Sequence, residues 1–215
     1  AVLVVVFHYG RNVWPFADGA LHRISASAGS SVAFFFFLSG YILSYAYQGF
    51  AWRQPGALRD YYVARLARIY PLYLLALLAA IAVGWGHTYW DRLSALDAAA
   101  DFPIHAGLLQ AWLPDRVYRW NVPGWSLSVE ASFYLLFPLV ATRVLALPRR
   151  AALAAFAGLY VVSQAGWALA RSWIWADWFY RSETVHHVLM YHPIVYWPVF
   201  ALGMLAFGVV RNADD

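Results

Sequence analysis

The sequence predicts an all-α fold, a polytopic bundle of membrane-spanning helices, and three observations carry that prediction. Of 215 residues, 63% are hydrophobic and 12% charged, whereas soluble domains run at about 45–50% apolar and about 25% charged. So few polar side chains would leave a soluble surface uncovered. The apolar residues also come in blocks, and about 20 residues of helix suffice to cross a bilayer. Aromatic residues, 19% of the chain, gather at the block ends, where an amphipathic ring gains from lying at headgroup level. Examples are Trp85, Tyr89 and Trp90; Trp120 and Trp125; Trp173, Trp175 and Trp178.

Six apolar segments follow in order. The first runs from Ala1 to about Gly10 and is apolar from its first residue. It lacks the basic start and small-residue cleavage site of a signal peptide, so the sequence is expected to begin inside a membrane helix. The second covers roughly Gly29 to Tyr47 and holds Phe34, Phe35, Phe36, Phe37 and Leu38; the third covers Ile69 to Trp85. Pro103 to Leu113 is too short to span and is expected to be interfacial or re-entrant. The fourth runs from Gly124 to Ala146, the fifth from Ala151 to Ala170 and the sixth from Pro193 to Val210. Pro15, Pro55, Pro71, Pro103, Pro114, Pro123, Pro148 and Pro193 are expected near segment ends, where a missing N–H costs little. No repeat, low-complexity tract or linker interrupts the chain, so residues 1–215 read as one membrane domain.

Every basic side chain is Arg, and there is no Cys. Disulfides, thiolate catalysis and cysteine metal sites are therefore excluded. A net charge of +4, scattered between apolar blocks, fits juxtamembrane topology and anionic lipid rather than nucleic acid. Arg53, Arg59, Arg65 and Arg68 lie between segments two and three, Arg143, Arg149 and Arg150 around the short turn between four and five, and Arg211 after six. These connections share one side, which the positive-inside rule assigns to the cytoplasm. Arg11, Arg23, Arg92, Arg116, Arg119, Arg171 and Arg181 lie on the other side, spread over longer loops.

Three constellations carry chemistry. His8 ends the first apolar run in Val6-Phe7-His8-Tyr9-Gly10. It reads either as a helix-end hydrogen-bonding group or as a general base, since imidazole titrates near neutrality and takes a proton from a hydroxyl. Glu130 lies early in segment four, within Trp125-Ser126-Leu127-Ser128-Val129-Glu130. A carboxylate there needs a partner or several hydrogen bonds; it serves either to join two helices or to act in a site. Segment four starts on the side where segment one ends, which allows His8 and Glu130 similar depth. Arg65 and Arg68, three apart, share a helical face. They are either ordinary positive flanks or a cradle for phosphates, which guanidinium binds in a bidentate way. His186, His187 and His192 cluster near an outer loop, but without carboxylates in matched geometry they do not predict a metal site.

Four blocks in order give the chain a likeness. They are His8-Tyr9-Gly10; Phe34 to Phe37 with Leu38-Ser39-Gly40-Tyr41-Ile42-Leu43; Arg65-Leu66-Ala67-Arg68-Ile69-Tyr70-Pro71-Leu72-Tyr73; and Trp120-Asn121-Val122-Pro123-Gly124-Trp125-Ser126-Leu127-Ser128-Val129-Glu130. A weaker fifth block is Pro198 to Met204. With these the sequence resembles the bacterial acyltransferase-3 family of integral-membrane O-acyltransferases. The resemblance implies a bundle of about ten membrane helices, each of bilayer-crossing length, of which this sequence would hold about six. It implies a multi-pass protein of the bacterial inner membrane that uses acyl-CoA, expected to be acetyl-CoA, as co-substrate and binds no cofactor or metal. The acceptor would be a hydroxyl of a cell-surface glycan, lipid or metabolite, as in O-acetylation of envelope polysaccharide.

It further implies that His8 is catalytic and that Arg65, Arg68 and Glu130 are required for function. The mechanism expected of these residues has Glu130 orienting or charge-balancing the His8 imidazole, or shaping the acceptor pocket, and Arg65 and Arg68 holding the acyl-CoA phosphates, with Trp125, Ser126, Ser128, Tyr41 and Asn121 expected to serve substrate binding. Where the family often has a polar residue before the Phe run, this chain has Ala33. A different reading, a transporter or lipid-binding protein whose buried polar groups line a pathway, predicts flux without acyl-CoA consumption.

Overall fold

The computed structural model describes residues 19–27, 31–82, 95–174 and 182–212, with the single positions 6 and 13. Within them the chain forms α1 (Gly19–Ser27), α2 (Ser31–Tyr47), α3 (Ala57–Ala82) and α4 (Ala95–Ala106). Three short 3-10 turns follow, Gln110–Trp112, Pro114–Arg116 and Val122–Gly124. Then come α5 (Trp125–Leu145), α6 (Arg149–Ile174), α7 (Glu183–Tyr191) and α8 (Pro193–Arg211). No strand occurs among the described residues. Among the described residues four helical stretches are long and apolar enough to cross a membrane: Ala57–Ala82, Val122–Leu145, Arg149–Ala170 and Glu183–Arg211. Leu72 is 73% exposed and Leu139 60%, a surface that lipid covers and water would not tolerate. The protein is an all-α, multi-pass membrane protein.

The second, fourth, fifth and sixth apolar segments match α2, α5, α6 and α8 closely. The third differs. Helix α3 begins at Ala57 rather than Ile69, because its first turns carry Arg59, Asp60, Arg65 and Arg68, which lower local hydropathy without opposing helix. Tertiary contacts hold those turns. Tyr61, 1% exposed, donates to the Tyr134 carbonyl at 3.1 Å, and Tyr62 donates to the Leu135 carbonyl at 3.0 Å. The first of these bonds has a specific cause. Pro138 lies inside α5 and has no N–H for the carbonyl four residues earlier, so the Tyr61 hydroxyl satisfies the acceptor that Pro138 leaves open. Pro71 and Pro103 likewise lie inside α3 and α4 rather than at segment ends, as membrane-protein helices tolerate when neighbours supply contacts.

The core is aromatic. Phe133 stacks on Phe200 with ring centres 4.5 Å apart, and Phe36 meets Phe133 edge-on at 5.2 Å and Tyr196 at 5.0 Å. Trp120 and Trp125, expected at headgroup level, are 6% and 9% exposed; Trp125 packs on Tyr191 at 5.0 Å, because an inward face is available to an indole next to a helix start. Helices α2, α5 and α8 run in one direction, since Phe36 meets Trp125 and Tyr196 while Tyr41 meets Phe207. Helix α3 runs opposite. Where α2 and α8 cross, Gly40 and Gly203 bring the two backbones together: a Cβ on Gly40 would lie 2.1 Å from the Phe200 carbonyl oxygen, and one on Gly203 would lie 1.9 Å from that of Phe37. Small residues permit this approach, which dispersion and close packing then exploit in lipid.

The two ends of the bundle differ. At one, Arg211 donates to the Leu145 carbonyl at 2.7 Å and Asn212 to that of Leu147 at 3.2 Å, so the Arg143–Arg150 turn and the end of α8 share a side as expected. At the other, α4 and the 3-10 turns form a buried polar cap. Asp101 is fully buried and pairs with Arg116 and, at 2.8 Å, Arg119. Two arginines on the sparser side, Arg116 and Arg119, thus have an internal counter-ion. Tyr73 of α3 donates to the His105 carbonyl at 2.6 Å, and Gln110 donates to Tyr73 Oη at 3.1 Å and to the Gly124 carbonyl at 2.9 Å.

His105, outside the spanning stretches, is held below its ordinary 6.5 chiefly by burial, against the opposing pull of the Asp101 carbonyl. An unfolded chain therefore binds a proton at a higher pH than the fold does. Stability is expected to be complete above about pH 6.5 and to fall as pH drops from there toward the folded value. Thermal unfolding in detergent across that range checks it, and His105→Gln should flatten the slope.

Candidate active site

One cavity of about 460 Å³ is lined by polar side chains from three helices. Its apolar wall is α2, through Val32, Phe36 and Leu43; its polar wall is α3 and α5, through Arg65, Arg68, Ser126, Glu130 and Tyr134. Ser39 of α2 faces the same space. The periodicity that builds the polar wall is simple. Ser126, Glu130 and Tyr134 are spaced by four, so they stack on one face of α5, and Arg65 and Arg68, spaced by three, share a face of α3. Because α3 and α5 run in opposite directions, the arginines meet this stripe at its inner half, and Ser126 closes its outer end with a 3.0 Å bond to the Pro123 carbonyl.

Glu130 is half-buried and its Oε1 accepts from the Tyr134 hydroxyl at 2.5 Å and from Ser39 Oγ at 3.5 Å. The Arg65 guanidinium lies over the rings of Tyr47 and Tyr134, 5.3 and 5.9 Å from their centres. Cation–π contact supports its charge without neutralising it. Arg65 Nε is buried and has no hydrogen-bond partner among the described residues. Neither Arg65 nor Arg68 forms an ion pair with a carboxylate among those residues. Two guanidinium groups line one cavity, and with Arg65 Nε unpartnered among the described residues they have the capacity to take an anion.

Of the expected site residues, Arg65, Arg68, Ser126 and Glu130 come together here. His8 lies outside the described residues. The other four serve elsewhere in the fold. Ser128 is fully buried, donates to the Leu108 carbonyl at 2.6 Å and accepts from the Ala111 N–H at 3.2 Å; it pins Leu108, whose φ of 56° falls in the left-handed region that side chains disfavour. Trp125 packs into the aromatic core. Tyr41 stands edge-on to Phe207 at 5.6 Å in the α2–α8 contact. Asn121 precedes the Val122–Gly124 turn, its carbonyl accepting from the Gly124 N–H at 2.9 Å. Tyr134 and Ser39 are the groups that sequence reasoning missed. The spacing of Tyr134 from Glu130 was the available signal for the first; the second rested on the α2–α5 pairing, which is not local.

Among the described residues no group of three His, Cys, Asp or Glu side chains is arranged to hold a metal ion. His187 bonds the Pro114 carbonyl at 2.8 Å, and His192 caps α8 by accepting from the Ile194 N–H at 3.3 Å.

Comparison with known proteins adds a family to this geometry. The family model Acyl_transf_3, described as an acyltransferase domain, matches residues 1–212. Acyltransferase MdmB of Streptomyces mycarofaciens is 33% identical over 130 residues, which cover 56% of this chain and 30% of that protein. The matched region is thus less than a third of that relative's length. No solved structure matches.

Proposed function

Since the chain belongs to the Acyl_transf_3 family of acyltransferase domains, we propose that its cavity moves an acyl group, acetyl in the simplest case, from acyl-CoA to a hydroxyl of a glycan, lipid or metabolite. The observation that supports this reading most directly is the convergence of Arg65, Arg68 and Glu130, from two helices, on one cavity. Arg65 and Arg68 would take the phosphates of CoA, and the end of the bundle that carries them is the cytosolic end in this reading, with the protein in the bacterial inner membrane. Glu130 stands nearer the opposite end, where an envelope acceptor arrives.

The chemistry needs one base and one path for a proton. A base takes the proton of the acceptor hydroxyl as its oxygen attacks the thioester carbonyl; the C–S bond breaks and the CoA thiolate leaves, taking up a proton. His8 is proposed as that base, or as a transient carrier of the acyl group, and Glu130 as the carboxylate that orients and balances the imidazolium. Thioester and alcohol react without a metal or redox cofactor.

Membranes containing the full-length protein, given labelled acetyl-CoA, are expected to release free CoA in step with label appearing on an acceptor. Arg68→Ala should raise the KM for acetyl-CoA by about tenfold or more, the worth of a charge-assisted bond. Substrate flux across the membrane without CoA release would overturn the reading.

A further inference from the structure

The two halves of the cavity, the arginines on one side and the carboxylate on the other, are joined by one side chain. Tyr134 is 5% exposed and lies at the meeting point of α3 and α5. Its hydroxyl donates to Glu130 Oε1 at 2.5 Å, while its ring lies 5.9 Å under the Arg65 guanidinium. The backbone beneath it is fixed as well, since its own carbonyl accepts from Tyr61 at 3.1 Å in place of the N–H that Pro138 lacks. A side chain held at its backbone, its ring and its hydroxyl has little freedom to rotate. We propose that Tyr134 is a positioning residue for acyl transfer: its hydroxyl fixes the Glu130 carboxylate and its ring shelves Arg65, so that the donor side and the acceptor side of the cavity keep one separation.

This rests on the assignment of Glu130 and Arg65 to the reaction. It goes beyond that assignment in giving two functions to two separable parts of one residue. A carboxylate with a rotatable side chain samples several orientations. A 2.5 Å bond from a buried phenol selects one of them, and positioning of this kind governs how often the reacting groups are aligned. The ring acts on a different step. By keeping the guanidinium over its face, it sets where the arginine donors point for an anion, without using them up.

The two contributions separate by substitution. Tyr134→Phe keeps the ring and its packing and removes only the hydroxyl. In full-length protein in membranes, with labelled acetyl-CoA as probe, it is expected to lower kcat about 10-fold to 100-fold, the range for losing a hydrogen bond to a charged group, while the KM for acetyl-CoA stays within about twofold. Tyr134→Leu removes the ring too, and is expected to raise that KM as well. Because the hydroxyl acts through Glu130, Tyr134→Phe should cost nothing further in a Glu130→Gln background. A merely structural tyrosine would lower the amount of folded protein, not this ratio, and its effect would add to that of Glu130→Gln. Full activity in Tyr134→Phe alongside an inactive Glu130→Gln would overturn the inference and leave the proposed function standing. Full activity in Glu130→Gln would overturn both.

Discussion

Glu130→Gln is expected to reduce acyl transfer by at least about 100-fold, the lower end of what acid–base assistance contributes, with the protein still inserted in the membrane. The substitution is nearly isosteric, so the packing of α5 on α2 and α3 is retained. Tyr134 Oη can still donate to the amide oxygen, and Ser39 still has a neighbour. What disappears is the negative charge, and with it the ability to balance an imidazolium at the base. Hence kcat should fall far more than the KM for acetyl-CoA rises, because the arginines on α3 are untouched. His8→Ala belongs to the same expectation in the stronger form: no transfer, with insertion intact. Release of free CoA from labelled acetyl-CoA reads both. Turnover at the wild-type rate in either variant removes that residue from the reaction.

The second large effect concerns the fold. Gly203→Leu is expected to prevent accumulation of folded protein, at a cost beyond the usual range of about 1–3 kcal/mol for overpacking. The reason is that the atoms a new Cβ would meet are backbone: the Phe37 carbonyl oxygen at 1.9 Å, its carbon at 2.9 Å and the Tyr41 N–H nitrogen at 2.9 Å. No side chain can swing aside. Helices α2 and α8 would have to separate along the crossing that also seats Phe36, Phe200 and Phe207. Gly40→Leu should behave alike, since its Cβ would meet the Phe200 carbonyl oxygen at 2.1 Å. Gly158→Ala and Gly166→Ala on α6 are the controls, because nothing lies within 4 Å of a Cβ at either position. Size-exclusion behaviour in detergent and thermal unfolding compare the four. A Gly203→Leu protein as stable as the controls would overturn the claim that the α2 and α8 backbones are in contact at this glycine.

Both predictions rest on information of different kinds. The apolar blocks of α5, α6 and α8 were legible in the sequence because membrane insertion imposes a length and a composition on each helix separately. The pairing of Arg65 with Arg68, and the exposure of both to one space, followed from a spacing of three. The start of α3 was not legible, since hydropathy is blind to a charged helix held by Tyr61 and Tyr62 on carbonyls of α5. Ser128 shows the same limit from the other side. It lies in the Trp120–Glu130 block and was expected to serve substrate binding, yet its hydroxyl is occupied by the Leu108 and Ala111 backbone, two contacts that only the fold of the α4 cap creates.

The sequence by itself determined that this chain is a stack of membrane helices and which polar side chains each helix carries to mid-depth, because burial in lipid and helical periodicity act within one segment. Only the tertiary structure decided which of those side chains share a cavity, that Tyr134 joins Glu130 to Arg65, and that Gly40 and Gly203 set the distance between α2 and α8. Those outcomes depend on how separate helices cross, and a crossing is fixed by close contact between residues far apart in the chain.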